Sequence, residues 1–293
     1  MGRHSFLGLA ALLSCLVLAG VSKAQPEPPL GEVTWAAVDF PPFQIVEGPH
    51  LGTGAFDGLR NLLIREIPDA RHGILTQTFA QREEALREGQ LLCSPGVFRT
   101  PARERYLVFS KPALIHLDNR LVYLNRNAGR FPVGAAVKLE AVFMDRRLTG
   151  GIIAGRSFAP NIDALIRRYG GAANIRVLPA KPARVLEMLE KGEIDYTIMF
   201  SHEADFLERQ AGNQRTLANR RIDGTPPFIL THVACTRCDW GERVIARVNR
   251  ILQAHRSDSE YRQLSERWYS APDRELIRKY YPQLTEAEGE PPR

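Results

Sequence analysis

Two segments of this chain repeat one another. "ALREGQLLCSPGVF" and "MLEKGEIDYTIMF" each run helix, glycine stop, polar residue and apolar strand, with Gly89 matched by Gly192 103 residues later. A glycine after a helical period ends the helix without strain, and a short apolar run behind it reads as a buried strand. The surroundings repeat as well. In the first half "VTWAAV" and "GILTQTF" are strands around the helix "LRNLLIREI", whose Leu59, Leu62, Leu63 and Ile67 share a face, and "AQREEALREG" is a second helix. In the second half "AVFMD" and "GIIA" read as extended pieces. Then come the helix "APNIDALIRRYG" (opened by Pro160, closed by Gly170), the strand "IRVLPA", the helix "ARVLEMLEKG" and the strand "EIDYTIMF". Alternation of this kind predicts an α/β fold with mostly parallel sheets, helices packed on them, and two similar lobes. With no low-complexity linker between the halves, strands should join them. A strand "PPFILTHVACT" and two amphipathic helices, "WGERVIARVNRILQAHR" and "SDSEYRQLSERWYS", complete the chain before a polar tail over 286–293.

The N-terminus carries an address. Arg3 and His4 precede the apolar run "FLGLAALLSCLVLAG", and Ser22 and Ala24 are the small residues of a signal-peptidase site. That order describes a secretory signal over 1–24, cleaved after Ala24. The run of 15 residues is short for a membrane span, and Cys15 lies too deep within it for a lipid attachment site. Losing Arg3 and Lys23 takes the formal charge from +6 to +4. The basic residues are scattered among acids, so a solvated surface fits and nucleic acid is not an expected partner. A hydrophobic fraction of 44% excludes wholesale disorder.

Three cysteines remain beyond the signal: Cys93, Cys235 and Cys238. In an oxidising compartment they allow one disulfide, with three possible pairings. "HVACTRC" also sets His232 near two thiols, but a structural zinc site wants four ligands and there is no second cluster. A redox role for Cys235 and Cys238 lacks the strand-to-helix setting such a pair needs. No metal or cofactor is expected.

The order of "DFPPF", "ALREG", "TPARERYLVFSKP", "AGRSF", "LEKGEIDYTIMF" and "RVNRILQAHRSDSEYRQLSERWY" resembles the solute-binding proteins of bacterial transporters. The similarity is to the family that includes periplasmic polar-amino-acid receptors, and it runs from about Val33 to Trp268. It implies the type II periplasmic binding protein fold: two α/β lobes joined by two hinge strands, with ligand in the cleft between them. Lobe 1 would be residues 31–122 plus 231–285, and lobe 2 residues 123–230. The family fold also sets the strands of Cys93 and Cys235 side by side, which makes that pair the implied bridge.

The resemblance assigns site residues too. Arg103 matches the arginine that grips a ligand carboxylate, and Thr100 opens the helical turn that carries it. A guanidinium suits that task because its planar fork donates two parallel hydrogen bonds and keeps its charge. Pairing with Glu104 or another nearby acid is the plain alternative. Phe40 matches the ring that covers the ligand, with Phe43 behind it as core. In "AGRSF", Gly155, Arg156 and Ser157 match a glycine and hydroxyl at a helix N-terminus, where backbone N–H groups suit an anion; Ser157 as a mere helix cap is the alternative.

The departures matter as much. The acid that holds a ligand ammonium in amino-acid receptors is replaced by Phe200, although Glu203 or Asp205 could stand in. Val97 and Phe98 fill a strand end that usually offers a hydroxyl. An unpaired ammonium would be costly to bury. A small carboxylate-bearing or otherwise anionic solute with an apolar part fits better than a plain α-amino acid. The expected function is non-catalytic capture by lobe closure, serving an inner-membrane ABC permease or a membrane sensor from the periplasm, as a monomer. One alternative is a prephenate dehydratase-like lyase on the same fold, with His202, Glu203 or Asp205 as acid or base. Another is a degenerate sensory or partner-binding module.

Overall fold

The alternation read from the sequence builds two sheets. The structure, a computed structural model, describes Gly2 and residues 29–212 and 216–286. The expected signal, its cleavage point and nearly all of the polar tail lie outside the described residues. The first sheet holds β1 (Glu32–Val38), β2 (Arg71–Gln77), β3 (Cys93–Val97), β4 (Leu107–Leu117) and β11 (Phe228–Thr236), in the order β2-β1-β3-β11-β4. The second holds β5 (Asn119–Leu124), β6 (Ala136–Val137), β7 (Gly150–Ile153), β8 (Ile175–Leu178), β9 (Tyr196–Phe200) and β10 (Leu217–Ile222), in the order β6-β10-β5-β9-β7-β8. Helices α1 (Ala55–Glu66), α2 (Phe79–Arg87), α3 (Pro101–Glu104) and, after β11, α8 (Asp239–His255), α9 (Ser259–Glu266), α10 (Ala271–Tyr280) and α11 (Pro282–Glu286) belong with the first sheet. Helices α4 (Leu139–Met144), α5 (Pro160–Tyr169), α6 (Pro182–Glu190) and α7 (Ser201–Gln210) belong with the second.

Each sheet is mostly parallel, as expected, with one strand reversed: β11 in the first and β5 in the second. β1 runs parallel to β2 and β3, and β7 parallel to β8 and β9. The antiparallel members are the crossing strands: β11 against β3 and β4, and β5 against β9 and β10. The reason is connectivity. The chain leaves the first sheet through β4 and β5 and returns through β10 and β11, so the two crossings must run in opposite directions. Sheet membership changes at Asp118 on the way out and between Ile222 and Phe228 on the way back. Asp118 is buried there and receives Arg120 at 3.0 Å, Arg221 at 3.4 Å and the Thr225 hydroxyl at 3.3 Å, which ties both crossings together.

Local chemistry sets the element ends. Thr78 and Gln81 form a reciprocal capping box at the start of α2, with bonds of 3.2 and 2.9 Å, and Gly89 at φ +84° ends that unit. In α8, Val244, Ile245, Val248, Ile251 and Leu252 recur at helical spacing and are buried against the first sheet. The segment "AVFMD", expected to be extended, lies largely in α4. Leu139, Val142 and Phe143 are its buried positions, and that spacing is helical, a pattern too short to outweigh an apolar run read alone.

Cys93 and Cys235 are direct partners in the β3–β11 register, with Cα atoms 4.1 Å apart, and form a disulfide. Cys238 is a free thiol, so Cys235 is not part of a CxxC pair. The bridge staples a returning strand to the first sheet across 142 residues, a span that includes the whole second sheet. His232 donates to Ser110 O through Nδ1, and among the described residues no group of three or more His, Cys, Asp or Glu side chains is placed to hold a metal.

The lobes are shut against each other. The first lobe's core, with Trp35, Phe43, Phe56 and Leu59, continues without a break into Phe200, Phe206 and Leu186 of the second. A separate cluster of Tyr123, Phe131, Phe143, Phe158 and Tyr196 fills the far side of the second lobe. Lys181 reaches across to Glu47 at 2.7 Å and Asp39 at 3.3 Å. Gly155, at φ +73°, turns so close to α2 that an added Cβ would stand 2.7 Å from Ala80 Cα.

Candidate functional site

The carboxyl ends of β1, β3 and β9 point at the junction between the lobes, where ligands of open α/β sheets bind. Two spaces lie there. The inner one, about 20 Å³, is walled by Phe40, Phe43, Phe79, Phe98 and Phe200 together with Arg82, Arg103, Arg156 and Ser157. The outer cleft, about 840 Å³, is lined by Thr100, Arg103, Gly155, Arg156 and Ser157, with further arginines at its rim. All seven residues expected to meet ligand therefore line one space or the other, and Arg103, Arg156 and Ser157 line both.

Thr100 caps α3, accepting the Arg103 N–H at 3.3 Å. Arg103 does not pair with Glu104, which takes Arg99 at 2.5 Å instead. Its guanidinium is buried and donates to both oxygens of Glu83 on α2, at 3.3 and 2.8 Å, and to Phe98 O at 3.3 Å. The Tyr106 hydroxyl donates to the same carboxylate. Burial pushes Glu83 up, but the Arg103 charge and these hydrogen bonds outweigh it and hold the carboxyl below its usual range.

Arg156 faces it from the second lobe. Its two terminal nitrogens donate to the two oxygens of Glu203, both at 2.7 Å, and the side chains are 1% and 0% exposed. Glu203 also accepts the Phe200 N–H at 3.2 Å, closing the first turn of α7. Rings pack around the cation: its Cζ is 4.4 Å from the centre of Phe40, 4.9 Å from Phe158 and 5.7 Å from Phe200. Such contacts add to the pair once water is gone.

"AGRSF" is not at a helix N-terminus. It forms the turn after β7, and α5 begins at Pro160 with Ala159 as its cap residue. Ser157 does not cap α5. Its hydroxyl donates to Asp163 in the first turn of α5, and the Phe158 N–H donates to the same carboxylate at 2.9 Å. The donors expected for an anion thus hold carboxylates of the chain itself: Glu83 at Arg103, Glu203 at Arg156, and Asp163 at Ser157.

His202 and Glu203 open α7, as the sequence suggested, while Asp205 is exposed. The His202 ring stacks on Tyr269, with centroids 3.8 Å apart, and burial, reinforced by His116 and Arg156, drives its pKa well down. Burial alone takes His116 down to about 3. Both histidines are therefore neutral at ordinary pH.

Sequence reasoning read "AQREEALREG" only as a helix and passed over Arg82 and Glu83 as site residues. A signal was present. Phe79, Arg82 and Leu86 are spaced three and four apart, so the helical period puts Arg82 on the apolar face. Asp163 was likewise not singled out in the sequence.

A cleft between two mixed α/β sheets, reached by two crossing strands and walled by paired arginines, defines a two-lobed binding protein. Residues 35–271 match the family model of bacterial extracellular solute-binding proteins, family 3, and the chain belongs to that family. No curated protein sequence was found to match it. Among solved structures it is similar to a histidine kinase sensor domain resembling periplasmic binding proteins, at TM-score 0.65 and 17% identity over 82% of this chain and 96% of that one. It is also similar to an ancestral amino acid-binding protein described as a precursor of cyclohexadienyl dehydratase, at 0.63 and 18% over 82% and 96%. A third is the amino acid ABC transporter substrate-binding protein AbpA from Streptococcus pneumoniae bound to L-arginine, at 0.62 and 16% over 81% and 93%.

Proposed function

We propose that the protein is a non-catalytic periplasmic receptor, exported by its N-terminal signal, that captures a small carboxylate-bearing solute by closing its lobes. It would hand that solute to an inner-membrane ABC permease or present it to a membrane sensor. The observation that carries this reading is the Arg156–Glu203 pair. Phe200 occupies the position of the ammonium-holding acid, and Glu203, the nearest replacement, is fully buried and committed to Arg156 at both oxygens. Asp205 is exposed. An ammonium placed beside Phe200 would thus be buried without a partner, at a cost of several kcal/mol. Arginine, by contrast, is abundant at the cleft.

In this reading Arg103 is the grip for the guest. It lines both spaces, and an incoming carboxylate competes for it with Glu83. Ligand favours the closed state by whatever affinity it gains there over the open one. A lyase would need a proton-transferring group facing the cleft. Glu203 is locked in its ion pair and His202 is stacked inside the protein, which supports binding over catalysis.

Thermal denaturation across a library of organic acids and amino acids tests the proposal. Carboxylic acids without an ammonium should raise the midpoint, and Arg103→Ala should weaken the best of them by roughly 2–5 kcal/mol, the scale for truncating one partner of a buried charge pair. Preferential stabilisation by α-amino acids, or full affinity retained in Arg103→Ala, refutes it. Aromatic product formed from prephenate by the pure protein would restore the lyase.

A further inference from the structure

The resemblance singles out one arginine in the first lobe, but the fold brings two to the inner space. Arg82 is 6% exposed and faces that space beside Arg103, its Cζ 5.4 Å from the Phe79 ring centre. Its Nε has no partner, and its carboxylate contact, Glu83 Oε2, lies at 4.0 Å, beyond hydrogen-bond reach. Glu83 is already taken at both oxygens by Arg103. Burial, and after it the Arg103 charge, pulls the Arg82 pKa down to about 10, so the group remains a cation.

A charge count follows. Among the described residues, the cations walling the inner space are Arg82, Arg103 and Arg156, and the carboxylates that meet them are Glu83 and Glu203. His116 also lines it but is neutral. Three positive charges face two negative ones, so the buried wall is short by one negative charge. A desolvated cation without its own counter-ion is the costly element of such a cluster.

We infer that Arg82 and Arg103 together form a subsite for a single negative charge, and that the cleft's guest is a monoanionic carboxylate with no ammonium group. The inference rests on the carboxylate-receptor reading and narrows it. A zwitterionic amino acid brings no net charge and leaves the shortfall, whereas a dianion overshoots it. The inner space admits a water-sized group, enough for one carboxylate oxygen between Arg82 and Arg103. The body of the guest then extends past Arg103 and Arg156 into the outer cleft, which shares those two residues.

The test uses the full-length protein and Arg82→Leu, with formate titrated against sulfate at matched ionic strength. Formate should raise the wild-type midpoint saturably and leave Arg82→Leu unmoved, while ligand-free Arg82→Leu should be at least as stable as wild type. Any larger acid found in the library should bind Arg82→Leu about 30-fold more weakly, or worse. An equal saturable response in both proteins, or none in wild type, overturns the inference. Should Arg82→Leu not fold, wild type alone decides by calorimetry with three probes of similar body: propionate, alanine and methylmalonate. Propionate should bind at least about tenfold more tightly than either of the others, a gap of 1.4 kcal/mol; alanine or methylmalonate binding as well as propionate overturns the inference. The two readings fail separately. If formate and propionate are held but no larger acid is, the subsite stands and the receptor falls. If a larger acid binds wild type and Arg82→Leu alike, the receptor stands and the subsite falls.

Discussion

Replacing Glu203 by glutamine should destabilise this protein far more than a one-atom change suggests. The carboxylate is 0% exposed and takes two hydrogen bonds of 2.7 Å from Arg156, itself 1% exposed at the side chain. Glutamine keeps the shape but loses the charge and one acceptor. The guanidinium, 1% exposed, is then left among Phe40, Phe79, Phe158 and Phe200 with no counter-ion. Removing one partner of a buried ion pair costs about 3–5 kcal/mol, and the ring contacts recover only about 1–2 kcal/mol of cation attraction, which the wild type already has. The expected loss is therefore about 3–5 kcal/mol in urea unfolding. Arg156→Met with Glu203→Leu should cost much less than either single change, because apolar groups of similar size replace both ions and strand neither. A loss under about 1 kcal/mol for Glu203→Gln, or singles that simply add in the double variant, would show that water reaches the pair and that the lobes do not seal it.

Two further outcomes follow from the same structure. Burial lowers His116 to about 3 and, despite the Ser110 carbonyl, His232 to about 4, and drives His202 well down too, all from an unfolded value of 6.5. These groups fold neutral, so stability is complete above pH 6.5 and is lost as pH falls from there towards the folded values, by about 1.4 kcal/mol per pH unit for each histidine. Urea midpoints that stay level between pH 7 and pH 5 would contradict this, and His116→Phe should make the acid slope shallower by one proton. As for the bridge, alkylation of the native protein should mark Cys238 and spare Cys93 and Cys235, and replacing both bridged cysteines by alanine should cost about 2–5 kcal/mol. A peptide map joining Cys235 to Cys238 would sink that expectation.

Self-pairing gives the closed cleft a simple logic. Glu83, Glu203 and Asp163 occupy the very donors a guest carboxylate would want. Where the chain's own acids balance the cations, as at Arg156, the wall is a finished core. Where they fall short, as at Arg82 and Arg103, a guest has something to add.

Sequence alone determined what depends on neighbours in the chain. Helical periods, the glycine stops at Gly89 and Gly192 and the cap at Thr100 are local, so the α/β class and the two-lobe repeat were legible from spacing. Arg82 stood at the edge of that range: its helical spacing from Phe79 and Leu86 marked it as inward-facing, but not what it would meet. Pairings between distant residues were beyond local reach. The bond between Arg156 and Glu203 spans 47 positions, and the bridge between Cys93 and Cys235 spans 142. Which carboxylate neutralises which guanidinium is decided by how two lobes close, because charges separated widely along the chain interact strongly only once folding brings them together and removes the water between them.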